Sequence, residues 1–356
     1  PEGWAQLHFP QYAKNQSFGL VQDPQLRTFG YVESVLNFDI LTYGADHPAP
    51  HTDVSVKINN AEYNPADLGI KCRDNTINLI AFDKQSTIPY TAVLFNPFDG
   101  RACGRRPQVI NSFTAAQLQT GLGNDIFQYM MNVPEGDSVV LFTIGDPGVA
   151  LWPVPVKQQF EALGISSAQL TAVQPGEPVI IFGKKGTAPG SARFFKPLTA
   201  PVNQQELNVT GTITGRFDSG TMTSTLIGPA SAWQSLVTQA LVSELPQTDV
   251  YSFDVVGSTL TGDEQVLLND VTGTVDLSFI DAADYPYLKI IYKTNDVINL
   301  TPPQLKKWLV FYTPVAEGVL VFNDSKEQQQ LREGEVWTGS YGFKNISQKT
   351  FTDSLT

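Results

Sequence analysis

The chain has 356 residues and a formal net charge of −12, with 42% hydrophobic and 11% aromatic residues. At about 150 residues per domain, this length fits two or three domains. The acidic balance lacks the basic footprint that nucleic acid requires, so we expect no nucleic-acid partner. No stretch approaches the ~18 apolar residues of a membrane span, and the first residues carry no signal-peptide pattern.

The first 51 residues have a mixed pattern. PQLRTFGYVESVLNFDILTYG contains two strand-like runs, and the prolines of ADHPAPHTD then interrupt it. The chain opens on Pro1 without an initiator methionine. We therefore expect 1–51 to be a β segment that connects to an upstream domain of a longer protein.

The range 52–198 alternates between strand and helix patterns. From Ser112, apolar residues recur at steps of three and four, which predicts an amphipathic helix capped by Ser112 or Thr114. Gly121 and Gly123 weaken its middle by about 1 kcal/mol each relative to alanine. The other elements are a short helix, VKQQFEALGI, and the strands TDVSVKINN, NTINLIAFD, YTAVLFNPFDG, SVVLFTIGD and EPVIIFGKKG. This alternation predicts an α/β domain with a sheet covered by helices.

The range 199–315 consists almost entirely of short alternating runs separated by turn residues. This pattern predicts an antiparallel β-sandwich of the jelly-roll kind. Residues 316–356 contain VLVFND, a polar run and EVWTGSYGFKN. We expect a linker and the first strands of a further immunoglobulin-like β domain there. The predicted fold class is thus multidomain, α/β followed by all-β.

The two cysteines, Cys72 and Cys103, flank two predicted strands. Oxidised, they would close a loop of about 30 residues and contribute roughly 3–4 kcal/mol in the chain-entropy model. Two buried free thiols are the alternative, because sequence alone does not establish pairing. Their spacing fits no zinc pattern.

The stretch PVIIFGKKGTAPGSARFF, residues 178–195, has the glycines and lysines of a phosphate-binding loop. Such a loop needs G-x-x-x-x-G-K-[ST] leading into a helix. Here Gly186 follows Lys185, Thr187 comes one position late, and the proline-broken continuation has no helical period. We therefore predict a hairpin or exit loop at a sheet edge.

The histidines offer no catalytic pair, because His8, His47 and His51 all precede the first well-organised domain. His47 and His51 lie four apart, but two prolines in HPAPH exclude a zinc-binding helix. We predict no enzyme activity and no cofactor. Loop carboxylates offer one option for calcium, although their spacing is irregular; they are Asp263, Glu264, Asp281 and Asp284.

Aromatic residues in the β-rich half are candidates for stacking on sugar rings. We select Trp233, Tyr285 and Tyr287 as a ligand surface, with core packing as the alternative. For Trp308, inside WLVFY, core packing is the prediction.

Motifs that occur in the same order as in known families give two parts of the chain a family resemblance. The range 52–196 resembles the interleukin-like EMT inducer (PANDER-like) domain. The resemblance rests on five motifs in chain order, NTINLIAFD, YTAVLFN, NVPEGDSVVLFTIGD, KQQFEALGI and PVIIFGKKGTAPGSARF. The range 205–313 is similar to discoidin or galactose-binding-like sandwiches of large Bacteroidetes surface proteins. This similarity rests on STLIGPASAWQSL, DVTGTVDLSFIDAADYPYLKI and LTPPQLKKWLVFY. Proteins of that kind often carry a gingipain-type (C25) peptidase.

These resemblances imply a non-catalytic module set of a large secreted or cell-surface protein. It would serve as a spacer and as an adhesion or ligand-binding unit beside neighbouring domains, with a glycan or surface protein as partner. The alternatives are a carbohydrate-binding module and an accessory region of a C25-type peptidase whose catalytic domain lies outside the chain.

Overall fold

The computed structural model divides the chain into two compact units, Val32–Phe217 and a second unit made of Pro1–Tyr31 and Asp218–Thr356. It describes residues 2–7, 16–23, 25–26, 28–49, 53–64, 69–92, 102–119, 124–242, 249–322, 332–336, 340–347 and 350–351. The architecture is predominantly β.

The elements are numbered in chain order. The strands are β1 (Glu2–Leu7), β2 (Leu20–Asp23), β3 (Thr28–Tyr31), β4 (Glu33–Tyr43), β5 (Ser55–Ile58), β6 (Ala61–Asn64), β7 (Gly69–Ile70), β8 (Thr76–Phe82), β9 (Ala102–Arg105), β10 (Ile110–Thr114), β11 (Ser138–Ile144), β12 (Ile180–Lys184), β13 (Arg193–Phe195), β14 (Glu206–Arg216), β15 (Ser219–Thr223), β16 (Ala230–Leu241), β17 (Val250–Ser258), β18 (Glu264–Val271), β19 (Thr274–Asp276), β20 (Tyr287–Asn295), β21 (Gln304–Pro314), β22 (Gly318–Phe322) and β23 (Tyr341–Asn345). The helices are α1 (Ala115–Gln119), α2 (Asn124–Asn132), α3 (Val154–Glu161) and α4 (Ser167–Thr171), and short 3-10 turns cover Val149–Leu151 and Val202–Gln204.

The unit Val32–Phe217 has three layers. Its middle layer is a seven-stranded antiparallel sheet in the order β13-β12-β11-β8-β10-β9-β7. The central strand β8 is buried along its whole length, as its apolar run predicts. Helical segments pack on one face through residues such as Tyr129, Trp152 and Phe160.

The other face of this sheet is covered by a second antiparallel sheet in the order β14-β4-β5-β6. Phe38 of β4 stacks on Phe182 of β12, with ring centroids 4.1 Å apart. Helices therefore cover one face only, and not both faces as in a doubly wound α/β sheet. Local periodicity predicts that a sheet face is buried but not which element buries it.

The pairing of β4 with β14 sets the extent of this unit. It runs without a register shift from Glu33 opposite Arg216 to Tyr43 opposite Glu206. The unit consequently extends beyond the predicted range 52–198 at both ends. The first 51 residues do not form one segment either, because β4 belongs here and β1 to β3 belong to the other unit.

The predicted long helix after Ser112 is not one helix in the structure. Ser112 lies within strand β10, α1 ends at Gln119 and α2 begins at Asn124. Thr114 occupies the capping position, since its Oγ1 accepts a hydrogen bond from the Gln117 amide at 3.4 Å. Gly121 and Gly123 lie outside the described residues.

The second unit contains two four-stranded antiparallel sheets in a β-sandwich-like arrangement, as predicted for 199–315. Their orders are β1-β21-β16-β19 and β15-β20-β17-β18. Along β20, half-buried and buried residues alternate, so one face of the strand packs inward. Trp308 is fully buried, as predicted. The sandwich also takes in β1, which pairs with β21 from Glu2 opposite Tyr312 to Leu7 opposite Lys307.

A separate hairpin follows the sandwich in the chain. β22 pairs with β23 from Gly318 opposite Asn345 to Phe322 opposite Tyr341. Its apolar side chains, including Leu320 and Phe343, are exposed. Its assignment to a further β domain stays a prediction. Among the described residues, no helix is long and apolar enough to cross a membrane.

Candidate functional site

Cys72 and Cys103 form a disulfide bond, which confirms that prediction and makes the free-thiol alternative wrong. Cys103 lies in β9 opposite Ile110 of β10, and the bond ties the segment after β7 to this edge of the seven-stranded sheet. The pair is structural and offers no thiol for chemistry.

The predicted aromatic ligand surface is mostly a packing arrangement. Trp233 is only 2% exposed, and its Nε1 donates a hydrogen bond to the Tyr285 carbonyl at 2.9 Å. The Tyr285 ring lies beside Gly257, and its hydroxyl donates to Gln265 Oε1. Tyr287 is half-buried in β20. The prediction of an exposed Trp233 is therefore wrong, because its indole completes the core at this end of the sandwich.

The carboxylates considered for calcium are engaged separately. Asp263 accepts from the Thr261 hydroxyl at 2.7 Å, and Asp281 accepts from the Ala283 amide at 2.8 Å. Glu264 pairs with Lys289. Nowhere in the described part of the chain do three or more metal-ligating side chains converge.

Of the three histidines, His47 lies among the described residues. His47 stacks on Tyr43 with centroids 4.8 Å apart, and His8 and His51 lie outside the described residues.

The glycine-rich stretch 178–195 forms β12, a loop and β13, at one edge of the seven-stranded sheet. The loop is fixed by backbone hydrogen bonds to the chain just after α3. Lys184 N donates to Leu163 O at 3.0 Å, and the amides of Gly190 and Ala192 both donate to Gly164 O, at 2.7 and 2.9 Å. The loop is thus a preformed wall, as a hairpin at a sheet edge would provide, and it does not lead into a helix.

This wall borders a cavity of about 360 Å³ between the two sheets of the unit. Its floor comes from one face of the seven-stranded sheet, because Ser138 lies opposite Lys184 and Phe182 lies opposite Arg193. Strand β14 supplies the opposite side. The lining residues are Ser138, Phe182, Gly183, Lys184, Thr187, Ser191, Ala192, Arg193, Thr212, Ile213 and Thr214.

The cavity carries two cations and no carboxylate among its lining residues. The Arg193 guanidinium lies over the Phe182 ring, 4.9 Å from its centroid. Neither Lys184 nor Arg193 forms an ion pair within the part of the chain that the structure describes. Both cations line this one cavity, where no carboxylate of the lining neutralises them.

The carboxylate nearest to the cavity in sequence is hydrogen-bonded outside the cavity. Asp137 precedes Ser138, is 1% exposed, and accepts a hydrogen bond from Lys84 N at 3.0 Å. Burial raises the pKa of Asp137 above its usual range, although hydrogen bonds from the Tyr90 hydroxyl and the Lys84 amide act in the opposite direction. Asp137 is therefore a buried structural group.

The β14 side of the cavity was not predicted from the sequence. Thr212 and Thr214 belong to the alternating run LNVTGTITGRF, where they are exposed while Ile213 is buried. The alternation predicts which side chains are exposed. It does not predict that this edge lies beside Lys184 and Arg193, because that proximity comes from stacking of the two sheets.

Comparisons with known proteins add no family. No family model matches the chain, and no curated protein matches it. One solved structure, "Structure of infectious bursal disease virus Gx strain", aligns at 9% identity over 85% of this chain and 72% of that one. Its TM-score of 0.18 is too low to support any argument about fold or function.

Proposed function

We propose that this chain is a non-catalytic, ligand-binding part of a secreted or cell-surface protein, and that the cavity beside Lys184 and Arg193 holds an anionic group of the ligand. The observation that carries the proposal is that Lys184 and Arg193, which have no ion-pair partner among the described residues, line one preformed cavity. The Cys72–Cys103 bond supports the compartment, since disulfides persist in oxidising environments.

The ligand chemistry follows from the donors. A lysine ammonium and an arginine guanidinium both donate charge-assisted hydrogen bonds, which are about twice as strong as neutral ones. The guanidinium is already oriented by stacking on Phe182, so less side-chain freedom is lost on binding. The planar fork of a fixed guanidinium matches a carboxylate, and the Ser138 hydroxyl, on the same face as Lys184, can add a weaker hydrogen bond.

The resemblances to the interleukin-like EMT inducer domain and to discoidin-like sandwiches remain part of this proposal, as do the spacer role and the C25-peptidase context. The carbohydrate-binding alternative now has less support, because Trp233 is buried and only Tyr285 and Tyr287 remain partly exposed. A saccharide ligand carrying carboxylates is compatible with the cavity.

The test uses immobilised polygalacturonate, poly-glutamate and neutral dextran as probes, with binding followed by biolayer interferometry. We expect both carboxylated polymers to retain the protein and dextran not to. The double variant Lys184→Ala/Arg193→Ala should bind at least tenfold more weakly. A matched control, Lys71→Ala/Arg105→Ala, removes the same charge from exposed positions of the same unit. If the two double variants lose binding affinity equally, the effect comes from net charge alone and the proposal is contradicted.

A further inference from the structure

The edge of β14 is a second feature of this cavity. β14 is 11 residues long and lies at the end of its sheet, with β4 as its neighbour on one side. It contains no proline, and its pairing with β4 has no bulge. Edge strands in natural proteins are commonly protected by prolines, bulges or inward-pointing charges, because an open edge can pair with another chain.

The backbone groups that face this open edge follow from the register. Asn37 of β4 directs its backbone toward β5, since Asn59 N donates to Asn37 O at 2.8 Å and Asn37 N donates to Asn59 Oδ1 at 2.9 Å. Thr212 lies directly opposite Asn37. Thr212 therefore belongs to a non-hydrogen-bonded pair, and its own N–H and C=O point away from β4.

The same orientation recurs at every second residue, at Asn208, Thr210 and Thr214. The backbone of Arg216 has the same outward orientation, and its N–H donates a hydrogen bond to Lys84 O at 3.2 Å across the edge. The protein thus fills one end of the edge with a carbonyl of its own. From Asn208 to Thr214 the outward backbone groups have no partner among the described residues.

The open part of the edge and the cations of the cavity lie together. Thr212, Ile213 and Thr214 line the same cavity as Lys184 and Arg193. A strand added to β14 would extend the smaller sheet over the face of β12 and β13. Its side chains alternate between two faces, and those on the inner face would meet the Phe182 ring and the two cations.

We infer that this edge binds an extended, acidic peptide segment by strand addition, with carboxylates of alternate residues placed at Lys184 and Arg193. The inference rests on the proposed function, because it names the ligand class for the same cavity. Main-chain hydrogen bonds to β14 supply affinity, and the charged side chains supply specificity. A second copy of this chain is a poorer occupant, since pairing two β14 edges would bring the two cation pairs toward each other.

The test uses one peptide and two backbone variants of it. The parent, acetylated and amidated Thr-Glu-Thr-Glu-Thr-Glu-Thr, has the length of the open edge and carries its carboxylates on one face. In one variant, esters replace the amides whose nitrogens belong to the glutamates. In the other, esters replace the amides whose nitrogens belong to the threonines. Each variant lacks the N–H donors along one side of the strand and keeps the charge.

Strand addition predicts an asymmetric result, because only one side of the peptide faces β14. One ester variant should bind at least tenfold more weakly than the parent, and the other should bind within about twofold. Equal binding by both variants, or equal weakening of both, would overturn the inference. Retention of polygalacturonate without binding of the parent peptide would also overturn it and leave the proposed function standing. If the protein binds none of the carboxylated probes, both the inference and the proposed function are wrong.

A variant of the protein itself provides an independent test of strand addition. Thr210→Pro removes an outward N–H that has no partner among the described residues, at an exposed edge position outside the cavity lining where proline is tolerated. We expect it to abolish peptide binding and to leave polygalacturonate binding within about twofold, while Thr210→Ala keeps both. Peptide binding that survives Thr210→Pro in a folded protein would contradict strand addition. A peptide-independent dimer that Thr210→Pro dissociates would instead identify the occupant as a second copy, and the inference would be wrong.

Discussion

Gly164 positions the wall of the candidate site, and its replacement by alanine gives a sharp test of that role. Gly164 has a φ of 79°, and its carbonyl accepts the amides of Gly190 and Ala192. A Cβ added there would lie 2.5 Å from Thr187 Oγ1 and 2.5 Å from Ser191 Oγ, which are both cavity-lining residues. The variant Gly164→Ala therefore adds backbone strain and displaces the loop.

The magnitude has two parts. A left-handed conformation costs an L-residue roughly 1–2 kcal/mol. Overpacking against the two hydroxyls adds about 1–3 kcal/mol. Gly190→Ala is the matched control, because Gly190 has a φ of 91° and a Cβ there would meet nothing within 4 Å. We expect about 1–2 kcal/mol for Gly190→Ala and about 2–5 kcal/mol for Gly164→Ala.

Hydrogen exchange measured by mass spectrometry at increasing denaturant gives the opening free energy of peptides within Val32–Phe217 separately from the other unit. Gly164→Ala should lower that free energy more than Gly190→Ala does, and should also weaken binding of carboxylated probes. Equal destabilisation by the two variants would refute the steric role of Gly164. Unchanged probe binding in Gly164→Ala would show that the wall does not shape the site.

Three further predictions concern stability. Cys72→Ala/Cys103→Ala opens a loop with a sequence separation of 31. The double variant should lower the free energy of unfolding by about 3–4 kcal/mol, as measured by denaturant titration. As a control, a reductant should destabilise the wild type and leave the double variant unchanged. Trp233→Phe leaves the Tyr285 carbonyl without its donor and should cost about 1–3 kcal/mol while carboxylate binding stays unchanged. Burial alone would raise the pKa of Asp296, but backbone amide donors outweigh it and hold that pKa below its usual range. Its stabilising contribution is therefore complete above the unfolded-state pKa and is lost as pH falls through the lower folded value, so the acid slope of thermal stability should flatten in Asp296→Asn.

Local sequence patterns predicted individual elements well and their partners poorly. The buried strand β8, the sandwich alternation along β20 and the glycine loop after β12 all follow from residue periodicity and turn chemistry over fewer than about a dozen residues. The same reasoning cannot place β4 beside β14, because the strands of the seven-stranded sheet lie between them in the chain and no local spacing encodes their pairing.

The candidate site shows the same division. Lys184 and Thr187 stood out in the sequence as part of a glycine-rich motif, although for a chemistry that the motif does not support. Arg193 and the β14 threonines join them only through sheet stacking, which no local spacing encodes. Trp233 was misplaced for a related reason, since an aromatic residue in an alternating strand has the same pattern in a core as on a ligand surface.

The location of the bound ligand tests the central claim most directly. Hydrogen exchange should be measured on the protein with and without saturating carboxylated probe, whichever polymer or peptide it retains. We predict slower exchange in peptides covering β12 to β13 and the β14 segment from Asn208 to Thr214, with no change around Tyr285 and Tyr287. Protection confined to the Tyr285–Tyr287 end of the sandwich would contradict the assignment of the site to Lys184 and Arg193.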